Sequence, residues 1–205
     1  RLRDHPDHRA DWERLEALSR EEVDGVRTAI AHLPPLARSE LDEVASALAK
    51  SGSCILAGES GVGKSALAKT LAGRDYDRVV WLRAELLASG SRDALVREIG
   101  LRHPLQELLA SSAAAVLLVV DGAERLRANG GQVAARLARD LNAAGARHVN
   151  VLVTAGLEAA SRISHWFLDE GAGSPPRVML QAPREEDVRA LVRDVPGLRW
   201  AAWRS

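Results

Sequence analysis

Apolar positions along the chain follow two alternating patterns. Short unbroken apolar runs occur at 54–57, 79–82, 115–120, 149–153 and 178–180, bounded by turn residues or followed by helical stretches. Between them, apolar spacing near 3.6 residues predicts helices over 64–72, 92–111 with a break near Pro104, 131–143, 156–169 and 184–193. Unbroken apolar strands are buried on both faces, and strand–helix alternation brings parallel strands together under helices. The expected core is therefore an α/β sandwich with a five-stranded parallel sheet. Upstream, Trp12, Leu15, Leu18, Val23, Val26, Ile30 and Leu33 recur at mostly helical spacing, with a capping signature Ser19-x-x-Glu22 among them. Two short helices are predicted there, closed by Pro34-Pro35. Ser39 opens a further helix with Leu41, Val44, Ala45 and Leu48 on one face, ending at Ser51-Gly52.

Composition narrows the classes. The 205 residues hold 28 basic and 28 acidic side chains, so charge gives no reason to expect sequence-blind binding to nucleic acid or an anionic membrane. Hydrophobic residues make up 46% but aromatics only 3%, which leaves Ala, Leu and Val to fill the core. Cys54 is the single cysteine, which excludes an intrachain disulfide and a multi-cysteine metal site and fits a reducing, cytoplasmic setting. No apolar run approaches the roughly 18 residues that span a bilayer. The first residues lack the apolar core of a signal peptide. A start at Arg1 without methionine suggests a segment of a longer polypeptide. The histidines are 5, 8, 32, 103, 148 and 165; only His5-x-x-His8 has a metal-like spacing, and a pair of this kind at a chain end reads as solvated.

The strongest chemical signal is Gly58-Glu59-Ser60-Gly61-Val62-Gly63-Lys64-Ser65, followed by Ala66, which satisfies G-x-x-x-x-G-K-[ST] at every fixed position. A strand runs into it and a helix runs out. Glycines let backbone N–H groups curl around phosphate oxygens, and the helix N-terminus adds partial positive charge. Lys64 is placed to reach the β and γ phosphates and Ser65 to offer a hydroxyl to Mg²⁺. The most hydrophobic strand ends in Asp121-Gly122-Ala123-Glu124. Asp121 at that strand end is the expected second metal residue, usually acting through water. Glu124 is the candidate general base for an attacking water, its alternative being a solvated carboxylate paired with Arg125 or Arg127. Another strand and a long helical stretch separate Lys64 from Asp121, and the strand 149–153, ending in Thr154, comes after. That order resembles the P-loop division with strand order 5-1-4-3-2.

These residues together resemble the STAND ATPases, the signal-transduction class of P-loop NTPases, related to AAA+ proteins, that includes NACHT and NB-ARC modules. The resemblance covers about residues 36–198. Leu36-Ala37-Arg38 is similar to the short adenine-side motif, with Ala37 where Gly is customary; Asp121 to Glu124 resembles the extended acidic motif; and Val151 to Thr154 resembles the sensor strand. Val178 to Val188, with Pro183 and an acidic helix start, matches the family's fifth strand and the helix after it. The departure is Thr154-Ala155-Gly156, where family members commonly carry an Arg that touches the γ phosphate; Arg162, one helical turn on, is the candidate replacement.

The resemblance implies an ATP/ADP and Mg²⁺ site made of residues 58–66, Arg38 and Thr154, with Ser65 and Asp121 on the metal and Lys64 and Glu124 catalytic. It further implies slow hydrolysis, homo-oligomerisation in the ATP state, and effector and sensor domains elsewhere in a longer chain, in a bacterial regulator or antiviral defence protein. No direct contact with membrane or nucleic acid is expected. The implied organisation is an N-terminal helical linker at 1–35, the NTPase domain at 36–198, and the start of a further region at 199–205. Trp200 and Trp203, spaced for one helical face, would pack against a neighbouring element. Two rivals are an AAA+-type motor or transposition-helper ATPase, and a non-catalytic module that holds nucleotide as a structural ligand.

Overall fold

Five parallel strands form one sheet in the order β2-β3-β4-β1-β5 in a computed structural model of the chain, which describes residues 7–28, 38–186 and 189. Read from the other edge this is the expected 5-1-4-3-2. The strands are β1 Ser53–Gly58, β2 Arg78–Arg83, β3 Val116–Asp121, β4 Val149–Ala155 and β5 Arg177–Leu180. Every residue of β1 is buried, as a central strand with helices on both sides requires.

Alternate side chains of β1 to β4 feed two separate cores, while the edge strand β5 buries only Val178 and Leu180 and leaves Arg177 and Met179 exposed. On one face Cys54, Leu56, Leu117, Val119 and Leu152 pack with Val44 and Leu48 of α2 (Glu40–Ser51) and Leu67 and Leu71 of α3 (Lys64–Asp75). On the other, Ile55, Leu118, Val120 and Val153 meet α4 (Arg92–Ile99), α5 (Leu105–Ala110), α6 (Ala128–Ala143) and α7 (Leu157–Asp169). Burial in the first core pushes the Cys54 thiol up to about 12, so this cysteine is an inert packing group. Gly100, in the left-handed region at φ 79°, ends α4, and Pro104 stands at the start of α5, which accounts for the expected break.

The N-terminal segment departs from expectation. A single helix, α1, runs through Arg9–Gly25, and Ser19 lies in its middle instead of capping a second helix. Ser19 is 3% exposed and its hydroxyl accepts the main-chain N–H of Trp81 at 2.9 Å. A strand edge thus decides the role of this serine: β2 is the outer strand, and its N–H groups need acceptors that another strand would otherwise provide. Farther along the same contact, Arg78 lies over the Trp12 ring (4.5 Å), and Glu22 pairs with Arg83. The helix therefore climbs beside β2 towards the carboxyl ends of the strands. There Lys69 of α3 donates to the carbonyl oxygens of Val23 (2.7 Å) and Val26 (2.8 Å), satisfying groups that a helix end leaves open.

Pro34-Pro35, the domain boundaries at 35/36 and 198/199, most of the helix expected over 184–193, and Trp200 and Trp203 lie outside the described residues. Among the described residues no helix is long and apolar enough to cross a membrane.

Candidate nucleotide site

The loop between β1 and α3 bends through two glycines in the left-handed region, Gly61 at φ 83° and Gly63 at φ 99°, the second standing immediately before the helix. Gly58 is required for another reason: a Cβ there would lie 2.6 Å from the carbonyl oxygen of Leu180 on the neighbouring strand. The main chain can therefore run close against β5. Lys64 donates from Nζ to the carbonyl oxygens of Gly58 (3.0 Å) and Glu59 (2.8 Å), closing the loop on itself.

The strand order decides what stands opposite. β4 lies between β1 and β3, so its last polar residue, Thr154, reaches the end of β3. Thr154 is 1% exposed; its hydroxyl donates to Asp121 Oδ1 at 2.5 Å and accepts the N–H of Gly122 at 3.0 Å. Ser65 in the first turn of α3 donates to the same carboxylate, 2.9 and 3.0 Å from its two oxygens. The loop, β3 and β4 thus meet at one carboxylate, though Ser65 and Asp121 are 56 residues apart.

Glu124 sits in a 3₁₀ turn, Ala123–Arg125, instead of the start of a helix. Its Oε2 accepts the N–H of Gly156 at 3.1 Å, which ties the turn to the end of β4. The expected alternative pairing with Arg125 does not form. Arg125 turns to Glu85 (2.6 Å) and, by donating to it, holds that carboxyl below its usual range. A cavity of about 490 Å³ opens between these elements, its wall including Ser60, Gly61, Gly63, Lys64, Asp121 and Glu124, with Thr154 and Ala66 also contributing. Sequence reasoning had no signal for Val26 and Arg27, which join this wall because α1 runs up the edge of the sheet.

Two arginines take up other places. Arg38 donates to the carbonyl oxygens of Val62 (3.1 Å) and Gln181 (3.0 Å), bracing the phosphate loop against the chain after β5. It faces a neighbouring opening of about 710 Å³ lined also by Gln181 and Ala182, not the cavity beside Asp121. Arg162 donates to the main-chain oxygen of Glu124 at 3.3 Å and lies over the Trp166 ring. Its guanidinium anchors the 3₁₀ turn from behind and does not line the cavity.

The donor set suits a small hard cation, because a serine hydroxyl and a carboxylate stand together at the mouth of a glycine-lined loop. No protein-family profile matches the chain, and no curated protein matches it in sequence. Solved structures do match in shape. Cdc6p from Pyrobaculum aerophilum superposes with a TM-score of 0.59 at 15% identity over 85% of this chain and 52% of its own. The Walker-type ATPase PABY2304 of Pyrococcus abyssi does so with a TM-score of 0.59 at 14% identity, over 83% of this chain and 61% of its own. The fold is that of a P-loop NTPase. Hsp104, solved with ATPγS and casein, shares it at a TM-score of 0.56 and 17% identity, over 85% of this chain and 31% of its own. The chain thus spans about half the length of the first two structures and a third of the last. At these identities the likeness is one of fold.

Proposed function

We propose that this chain is the Mg²⁺–ATP-binding, slowly hydrolysing switch domain of a STAND-type signalling or defence protein. The observation that carries the reading is the convergence of Lys64, Ser65 and Thr154 on the cavity around Asp121. Phosphate oxygens bound in the loop would take over the Lys64 ammonium from the two carbonyl oxygens it now meets. Ser65 and Asp121 would hold Mg²⁺, which supplies charge neutralisation to the β and γ phosphates. Arg38, which braces the loop at Val62, would act on the purine side. Glu124, at the cavity wall and oriented by the Gly156 N–H, would accept the proton of the water that attacks the γ phosphorus.

The acidic motif supports this reading over a motor. Gly122, in the left-handed region at φ 75°, directly follows Asp121, and the only carboxylate of the turn is Glu124, three residues on and tethered to the sensor strand. With Arg162 committed elsewhere, Arg83 paired to Glu22 and Arg125 to Glu85, Arg27 is the cavity-lining arginine with no ion pair among the described residues. It is the cation available to a terminal phosphate. A switch requires that phosphate to bind one conformation better than another, since only a difference in affinity moves a population. Homo-oligomerisation in the ATP state and effector and sensor domains of a longer chain belong to the same proposal, as does a cytoplasmic setting.

Two measurements test it. Chain purified without added nucleotide, then denatured, should release ADP or ATP on ion-exchange chromatography; an empty protein that hydrolyses added ATP briskly would overturn the slow switch in favour of a motor. Glu124→Gln should keep ATP affinity within about twofold while hydrolysis falls about a hundredfold, the usual worth of a positioned base. Unchanged hydrolysis would remove Glu124 from the mechanism.

A further inference from the structure

At the opposite end of the sheet from the phosphate loop, before the first residues of β2 and β3, the structure brings two neighbouring side chains at the start of the N-terminal helix together with a third from more than ninety residues on. His8 immediately precedes α1, Asp11 lies in its first turn, and His103 belongs to the connection between α4 and α5. Each offers one ligand atom, and these atoms lie within 4.8 Å of one another. The histidine rings meet edge to face at 4.6 Å between centroids.

Asp11 is 3% exposed, uncommon for an aspartate. Its carboxylate is fixed by main-chain donors, Arg102 N to Oδ1 and His103 N to Oδ2, both at 3.0 Å, and by His103 Nδ1 at 2.8 Å from Oδ2. His8 is the contrasting member. Its Nδ1 is buried and has no hydrogen-bond partner, the only such side-chain atom among the described residues. Buried polar atoms are nearly always satisfied, so an orphan beside a fixed carboxylate and a second imidazole points to something that completes it.

We propose that His8, Asp11 and His103 form a structural site for a divalent transition ion of the zinc type. Two imidazoles and one carboxylate are a donor set that zinc accepts, with a water in the fourth position. A tetrahedral ion with bonds of about 2.0–2.2 Å sets its ligand atoms about 3.4 Å apart, so closure takes a movement on the order of 1 Å. Rotation of His8, whose Nδ1 gives up no bond, supplies it. The cluster is reached at His8, which lines an opening of about 480 Å³ together with Asp7, Arg9, Trp12, Arg78 and Ser111. A bound ion would clamp the start of α1 onto the α4–α5 connection, beside the contact that Arg14 Nε makes to the Ile99 carbonyl oxygen. The site is independent of the nucleotide reading and uses none of its residues.

The test uses the tag-free chain, stripped with chelator and titrated with ZnCl₂ by calorimetry and with CoCl₂ by visible absorption, without nucleotide. One equivalent of Zn²⁺ should bind at least tenfold more tightly to the natural chain than to His8→Ala, with the intense visible absorption of a four-coordinate cobalt site. Zn²⁺ should raise the melting temperature of the natural chain and not that of His8→Ala. Because the His8 Nδ1 makes no hydrogen bond, this variant keeps the fold where His103→Ala could lose it. Equal zinc affinity in the natural chain and His8→Ala would overturn the proposal, as would an equal loss in His148→Ala, whose imidazole lies elsewhere against the Leu109 carbonyl oxygen.

Discussion

Lys64→Ala is expected to weaken ATP binding by about a hundredfold or more while the far-ultraviolet spectrum and melting temperature stay near those of the natural chain. Losing one partner of a desolvated, hydrogen-bonded charge pair costs about 2–5 kcal/mol, and 2.7 kcal/mol is about a hundredfold. The fold should tolerate the change. Lys64 Nζ contacts only two carbonyl oxygens at the loop surface, Gly58 and Glu59, and the loop keeps its glycines. Isothermal calorimetry with ATP and Mg²⁺ reads the affinity. Unchanged affinity would sink the assignment of residues 58–65 as a phosphate cradle.

The second large effect concerns stability. Gly131 lies inside α6, where replacing glycine by alanine ordinarily stabilises a helix by about 1 kcal/mol. Here the sign should reverse. A Cβ on Gly131 would fall 1.8 Å from Cε3 of Trp166, a ring 5% exposed and held between α6 and α7. No rotamer change relieves such an overlap, so the ring or a whole helix must move. Overpacking of this kind costs typically 1–3 kcal/mol and sometimes more, which outweighs the propensity gain. A net loss of about 2 kcal/mol corresponds to a fall of about 4–8 °C for a domain of this size. Scanning calorimetry on Gly131→Ala reads it directly; a melting temperature equal to or above that of the natural chain would refute the packing argument. Because Arg162 stacks on the same Trp166 and holds the Glu124 turn, the variant should also slow hydrolysis more than it weakens ATP binding.

Much of the architecture was legible in the residues because its signals are local. Five unbroken apolar runs mark strands, and all five are strands of one sheet, although the edge strand β5 is buried on one face only. The phosphate loop carries its own geometry, since the glycines that must adopt left-handed conformations are within eight residues of each other. Asp121 announces itself by ending the most apolar strand. The 5-1-4-3-2 order was implied by resemblance to the P-loop division with an extra strand between the phosphate-loop and acidic strands, and the pairing of β4 with both β1 and β3 bears it out.

The failures share one physical cause: side chains whose roles are set by partners distant in the chain. Ser19 with Glu22 has the spacing of a helix cap, but the unpaired N–H of Trp81 on the sheet edge claims its hydroxyl and leaves it in mid-helix. Arg162 has the right distance from Thr154 for a phosphate contact, yet the Trp166 face and the Glu124 carbonyl hold it behind the turn. His8, read with His5 as a solvated pair, instead stands beside Asp11 and a histidine 95 positions further on.

Sequence alone thus determined the strands, the class of fold and the glycine-rich loop before α3, because periodicity, glycine conformation and strand-end chemistry act over a few neighbouring residues. Tertiary structure decided which carboxylate meets which hydroxyl, which cavity arginine has no ion pair among the described residues, and that α1 joins the cavity wall. Hydrogen bonds and ion pairs are satisfied by whichever partner the packing brings within about 3 Å, and that proximity is a property of the folded chain.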